Sequence, residues 1–262
     1  MILLGVILGA AAACCFDGAV ALQALEARTA PGVVRLVKNP RWLAATGLAI
    51  AGWPLQVAAL AVAPLAIVQP SLALGLVLLL FLGVRMLGEP ARPRDFAAVA
   101  AIAASLALLA WAAPEEGTPD TKAAAVAIGA LALIAALPWL VRFALPDKAI
   151  GWAFIFAAGC GYAGSGLGTA LITESTFAWA IPTALVAGIA LLGEQAALQR
   201  QGASRVAAGA FALQTAVPVL LARPVTGEHW DHPVAILVGL AVVLVASLGL
   251  GVAAPVRKLT AH

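Results

Sequence analysis

The 262 residues are 63% hydrophobic and only 10% charged, with a mean hydropathy of +1.04. A soluble core of this length needs more charge, so a water-soluble domain is excluded. The balance of 15 basic to 12 acidic residues, net +3, would suit nucleic acid on a soluble protein. Here the basic residues flank apolar blocks, where lipid headgroups are the natural partner and nucleic acid is not.

Nine apolar blocks long enough to cross a bilayer are read at roughly 2–25, 42–62, 64–87, 95–113, 121–142, 149–172, 176–197, 204–222 and 233–255. The first opens MILLGVILG without a basic n-region, so it reads as a retained helix and not as a signal peptide. Cys14, Cys15 and Cys160 all fall inside blocks and offer no disulfide framework. Pro54, Pro70, Pro182 and Pro218 predict kinks, which bundles tolerate where neighbours satisfy the freed carbonyls. The sixth block carries GCGYAGSGLG (159–168), whose first six letters fit G-x-G-x-x-G. A dinucleotide cradle needs a strand-to-helix turn, and these glycines lie inside one apolar stretch. They read instead as close helix packing or as a flexible segment lining a cavity.

Charge tests the count. An external amino terminus puts 13 of the 15 basic residues, among them Arg28, Arg257 and Lys258, on the cytoplasmic side and leaves only Lys122 and Arg223 outside. A missed or invented helix would invert every later loop and spoil this sorting. Trp42, Trp111, Trp139, Trp152 and Trp230 lie near predicted helix ends, as rings at the headgroup level do.

The chain also repeats itself. At an offset of 146, GVILGAAAACCFDG (5–18) matches GWAFIFAAGCGYAG (151–164) at Gly5, Ala11, Ala12, Cys14 and Gly18, with Phe16 opposite Tyr162. At an offset of 139, Gln56 meets Gln195, Ala58 meets Ala197, and Gly88-Glu89 meets Gly227-Glu228. The expected fold class is therefore an all-α polytopic membrane protein of nine transmembrane helices. Residues 1–114 form a first four-helix repeat, 115–148 a linker helix with its loops, and 149–262 a second four-helix repeat. The single linker crossing makes the second repeat enter from the opposite face, the inverted architecture of secondary transporters.

These residues resemble the drug/metabolite transporter superfamily (EamA-like), and within it the nine-helix NIPA-like magnesium transporter group. The likeness covers nearly the whole chain and is closest at GWPLQVAALAVAPLAIVQP (52–70), where Gly52, Ala63, Pro64 and Pro70 match the group's helix 2 to helix 3 turn. APEE (113–116) is similar to the A-P-K-E after the fourth helix of the family. The resemblance implies a secondary transporter of the bacterial cytoplasmic membrane that moves a small metabolite or cation by alternating access. It implies no cofactor and leaves a homodimer open. One departure matters: the family's glutamate after Gly52 is Trp53 here, and its asparagine is Gln56. Magnesium favours carboxylate oxygens and dehydrates reluctantly, so fold and transport class carry over and the ion does not. Magnesium transport and a non-transporting scaffold are the alternatives.

Asp17 is the one carboxylate read as lying deep in a span. An ionisable group at that depth is costly, and it binds substrate, cation or proton or else serves structure. Gln56, Gln69, Ser71, Gln214 and Thr215 offer neutral oxygens and donors on the second, third and eighth helices, and Tyr162 adds a hydroxyl on the sixth. Such groups bind ligands or hold helices together. HWDH (229–232) could present two imidazoles to a metal but lies in an outer loop without further Cys or His. An intramembrane enzyme would need a nucleophile or metal set within the spans, and no span contains histidine.

Overall fold

The structure is a computed structural model, described for residues 1–27, 33–86, 92–115, 117–144, 146–174, 176–201 and 203–251. Eleven α-helices follow one another: α1 (Ile2–Ala27), α2 (Val33–Leu36), α3 (Pro40–Leu60), α4 (Leu65–Ser71), α5 (Gly75–Met86), α6 (Pro93–Trp111), α7 (Thr121–Val141), α8 (Asp147–Glu174), α9 (Ala180–Leu198), α10 (Ala203–Thr226) and α11 (Pro233–Gly251). Among the described residues the only extended pairing is a single antiparallel bridge between Glu115 and His229. Among the described residues seven helices are long and apolar enough to cross a membrane, and two shorter apolar ones span Leu65–Leu78 and Pro233–Gly249. Large apolar side chains such as Ile7, Val126, Leu133, Leu140, Ile181 and Val245 remain exposed on the outside. That is the surface of a polytopic membrane protein, where lipid covers what water would reject.

Local chemistry sets several helix starts. Asn39 accepts a hydrogen bond from the Arg41 amide at 2.9 Å, with Pro40 in the first turn, where its missing N–H costs nothing. Asp95 accepts from the Arg92 amide at 2.7 Å in front of Pro93. Asp120 takes the amides of Lys122 and Ala123 at 2.9 and 3.1 Å. At the far end of α10, Gly227 adopts φ +73, the left-handed turn that ends helices and favours glycine.

The block read as one helix at 64–87 tightens part-way along: a 3-10 turn, Leu72–Leu74, joins α4 to α5 while Ser71, Leu72 and Gly75 keep right-handed helical angles. The short α2 has no counterpart in the sequence reading; its Leu36 is fully buried in a cluster with Trp42, Ile150, Phe154 and Leu198. Arg28, Glu89, Arg257 and Lys258, used in the charge and repeat arguments, lie outside the described residues, as do residues 252–255 of the ninth block.

The glycine-rich stretch lies within α8, the most enclosed of the long helices. A Cβ on Gly161 would stand 2.8 Å from the Ala190 Cβ on α9 and 3.1 Å from that of Ala135 on α7. One on Gly159 would stand 2.7 Å from the Leu213 Cβ on α10. These glycines let three helices close on α8, the packing that membranes obtain from small residues. Further along, Ser165 and Gly166 leave that packing and border a cavity. The packing reading therefore holds at Gly159 and Gly161, and the residues that line the cavity do so as part of a regular α-helix and not as a flexible segment.

Candidate functional site

A cavity of about 510 Å³ lies between α3 on one side and α8 and α9 on the other. This is the size of small-molecule sites in general. Gln56, Gln69, Tyr162 and Gln214, four of the seven residues singled out from the sequence, line it. They come from α3, α4, α8 and α10, so only the folded bundle brings them together. The tightened segment contributes directly: Gln69 precedes the 3-10 turn and Leu72 opens it, and both border the cavity.

Two polar ties hold the walls. Trp53 on α3 donates from Nε1 to Thr169 Oγ1 on α8 at 3.1 Å. Nearer the other end of α3, Trp42 Nε1 donates to Gln195 Oε1 at 3.0 Å, Gln195 Nε2 to Gln23 Oε1 at 2.9 Å, and Gln23 Nε2 to Thr46 Oγ1 at 3.0 Å. The Thr46 hydroxyl closes the ring by donating to the Trp42 carbonyl at 3.0 Å. Thr46 also lines the cavity, so this ring meets the cavity at that residue. Trp42 stands near the start of α3, as read, but faces inward: it is 3% exposed and bound to Gln195. Trp111 and Trp152, by contrast, are exposed near helix ends. Trp42→Phe leaves the Gln195 oxygen buried without its donor, at a cost of about 1–3 kcal/mol. The purified variant should melt several degrees lower, and an unchanged melting temperature would show that the ring carries no stability.

Asp17 borders a second, smaller pocket of about 30 Å³, together with Glu194 on α9. Phe16, Leu72 and Gln214 border both spaces, so the pocket adjoins the cavity. Tyr162 joins them chemically: its hydroxyl donates to Glu194 Oε2 at 2.7 Å while its ring faces the cavity. Asp17 packs beside Gly75, the first residue of α5, where a Cβ would collide with its carboxylate and stand 2.7 Å from the Ala13 carbonyl oxygen. Asp17 is therefore not the one deep carboxylate. Glu194 is 4% exposed and shares its pocket.

The remaining residues fall elsewhere. Ser71 is fully buried, donates to the Val68 carbonyl at 2.7 Å and packs on Gly9. Thr215 is fully buried away from both spaces. In HWDH, His232 stacks on Trp111 with ring centroids 4.8 Å apart, while His229 pairs through its backbone with Glu115, so the two imidazoles serve different contacts. Among the described residues no three His, Cys, Asp or Glu side chains gather to hold a metal.

The chain matches no protein-family model, no curated protein and no solved structure. What the site can do is argued from its own chemistry. Neutral amides and rings line a cavity of ligand size, and a carboxylate pair stands behind one wall.

Proposed function

We propose that the protein is a secondary transporter that moves a small organic molecule across the cytoplasmic membrane by alternating access, driven by an ion or substrate gradient. The observation that carries this reading is the cavity of about 510 Å³ walled by both halves of the chain, Gln56 and Gln69 from one and Tyr162, Ser165 and Gln214 from the other. Transporters built from repeats place their sites at such an interface.

The nine-helix inverted repeat belongs to the same proposal. Shifted by 139, the bounds of α3 fall on 179–199, beside Ala180–Leu198 of α9, and α4 with α5 fall on 204–225, inside α10. Shifted by 146, α1 falls on 148–173, inside α8. The direction of the helices agrees: Trp42, near the start of α3, bonds Gln195, near the end of α9. At the opposite end Trp53 of α3 reaches Thr169, one residue from Gly168, which packs on Thr183 near the start of α9. Equivalent helices that run in opposite senses are what an inverted repeat requires. Membership of the drug/metabolite transporter superfamily rests on the residues at 52–70 and on this arrangement. The magnesium alternative loses ground, because Trp53 stands where that group carries its acid and amides and rings line the cavity.

Two experiments test the reading. Reporter fusions should place the amino terminus outside and the carboxyl terminus in the cytoplasm; both termini on one side would remove the inverted repeat. Purified protein in proteoliposomes should move some member of a panel of amino acids, other metabolites, organic cations and divalent ions down an imposed gradient, without nucleotide. If none moves, the scaffold reading replaces this one.

A further inference from the structure

Among the described residues that border the cavity there is no Lys, Arg, His, Asp or Glu. Ile50, Ala184, Ala187 and Leu191 supply an apolar wall, and Phe16 and Trp53 supply rings. A charged molecule entering such a space would give up its water without gaining a counter-charge, which is strongly unfavourable. The Asp17 and Glu194 pair lies in the adjoining pocket, screened from the cavity by Tyr162, Phe16 and Gln214.

One group in this wall lacks what buried polar groups usually have. Gln69 is 1% exposed, and its Nε2 has no hydrogen-bond partner. The amide lies against Gly166, where a Cβ would stand 2.5 Å from that nitrogen. Glycine thus makes room for the amide on one side and offers no acceptor on the other. Buried donors without acceptors are rare and costly. Gln69 borders the cavity while its Nε2 is itself buried toward Gly166, so a ligand satisfies this donor once the amide turns from Gly166 into the cavity.

We propose that the cavity binds an uncharged, ring-bearing organic molecule of drug-like size whose carbonyl oxygen accepts a hydrogen bond from Gln69 Nε2, the amide turning from Gly166 into the cavity to make it. The carboxylates of Asp17 and Glu194 do not contact it. This names the substrate class of the transport site proposed above, and it is tested by binding, which does not require transport.

The test uses three molecules of similar shape: N-benzylbenzamide, which is neutral with one carbonyl; dibenzylammonium, in which a methylene replaces that carbonyl and the nitrogen is charged; and diphenylacetate, an anion. Binding to the purified full-length protein is measured by calorimetry and by the ligand-dependent rise in melting temperature. The amide should bind saturably and at least about tenfold more tightly than either ion. Gln69→Met should weaken amide binding about tenfold, the loss of one buried hydrogen bond. The unliganded variant should melt no lower than the parent, because the amide it removes has an unpartnered nitrogen. Gln69→Asn, with its amide drawn back by one methylene, should weaken binding in the same direction and serves as the second variant should the methionine disturb folding. The proposal falls if either ion binds as tightly as the amide, if none of the three binds saturably, or if both variants bind the amide like the parent. Amide binding without transport in liposomes would leave the ligand class standing and remove the transport reading. Transport of an ion without amide binding would do the reverse.

Discussion

Tryptophan at position 187 should reduce transport at least tenfold while the protein still folds, whereas the same substitution three residues on, at position 190, should damage the fold itself. Ala187 is half-buried and borders the cavity. An indole there has open space to enter and occupies room the substrate needs. Ala190 is fully buried against α8, where its Cβ already lies where a Cβ on Gly161 would make a 2.8 Å contact. Overpacking such a contact costs about 1–3 kcal/mol and often more. Ala187→Trp should therefore keep its melting temperature within about 2 °C and lose uptake, and Ala190→Trp should melt several degrees lower or fail to accumulate in the membrane. Full uptake by a well-folded Ala187→Trp variant would show that the cavity is not on the transport path.

The second large effect belongs to the carboxylates. Asp17 and Glu194 border one pocket of about 30 Å³, room for a water or a small ion, and Tyr162 is the donor that reaches Glu194. Two negative charges in so small and buried a space repel each other, so a proton or a cation must share the pocket. Asp17→Asn keeps shape and hydrogen bonding and removes that requirement. Uptake driven by a pH or ion gradient should fall at least tenfold, although the protein reaches the membrane. Glu194→Gln should do the same, and the double variant should be no worse than either single one, since all three remove the shared ion. A fully active Asp17→Asn protein with unchanged pH dependence would leave the pocket a structural feature.

Much of this was legible before folding, and the misses have physical causes. Apolar blocks of bilayer length give the helices, because a membrane requires every backbone group to be satisfied within its own segment. Gln56, Gln69, Tyr162 and Gln214 stood out as polar residues in apolar spans, and they meet in the cavity. Glu194 was missed because it lies near the end of its predicted span, where an acid usually reaches the interface. Here α9 turns it inward against Tyr162. Trp42 lies near a helix end as read, but that it faces inward was not legible: only the positions of Gln23 and Gln195, more than 150 residues apart in sequence, make it part of a buried ring. Pro70 was legible as the site of a kink, but the 3-10 turn that follows it at Leu72–Leu74 was not.

The claim that both sides of the membrane gain access to the cavity in turn is tested most directly at Ser165, which borders it from α8. With Cys14, Cys15 and Cys160 replaced by alanine, a Ser165→Cys variant in oriented vesicles can be labelled with a maleimide that does not cross membranes, applied to one face at a time. Alternating access predicts labelling from each face, with the balance shifting when the gradient is reversed. Labelling from a single face under every gradient, or from neither, would contradict it.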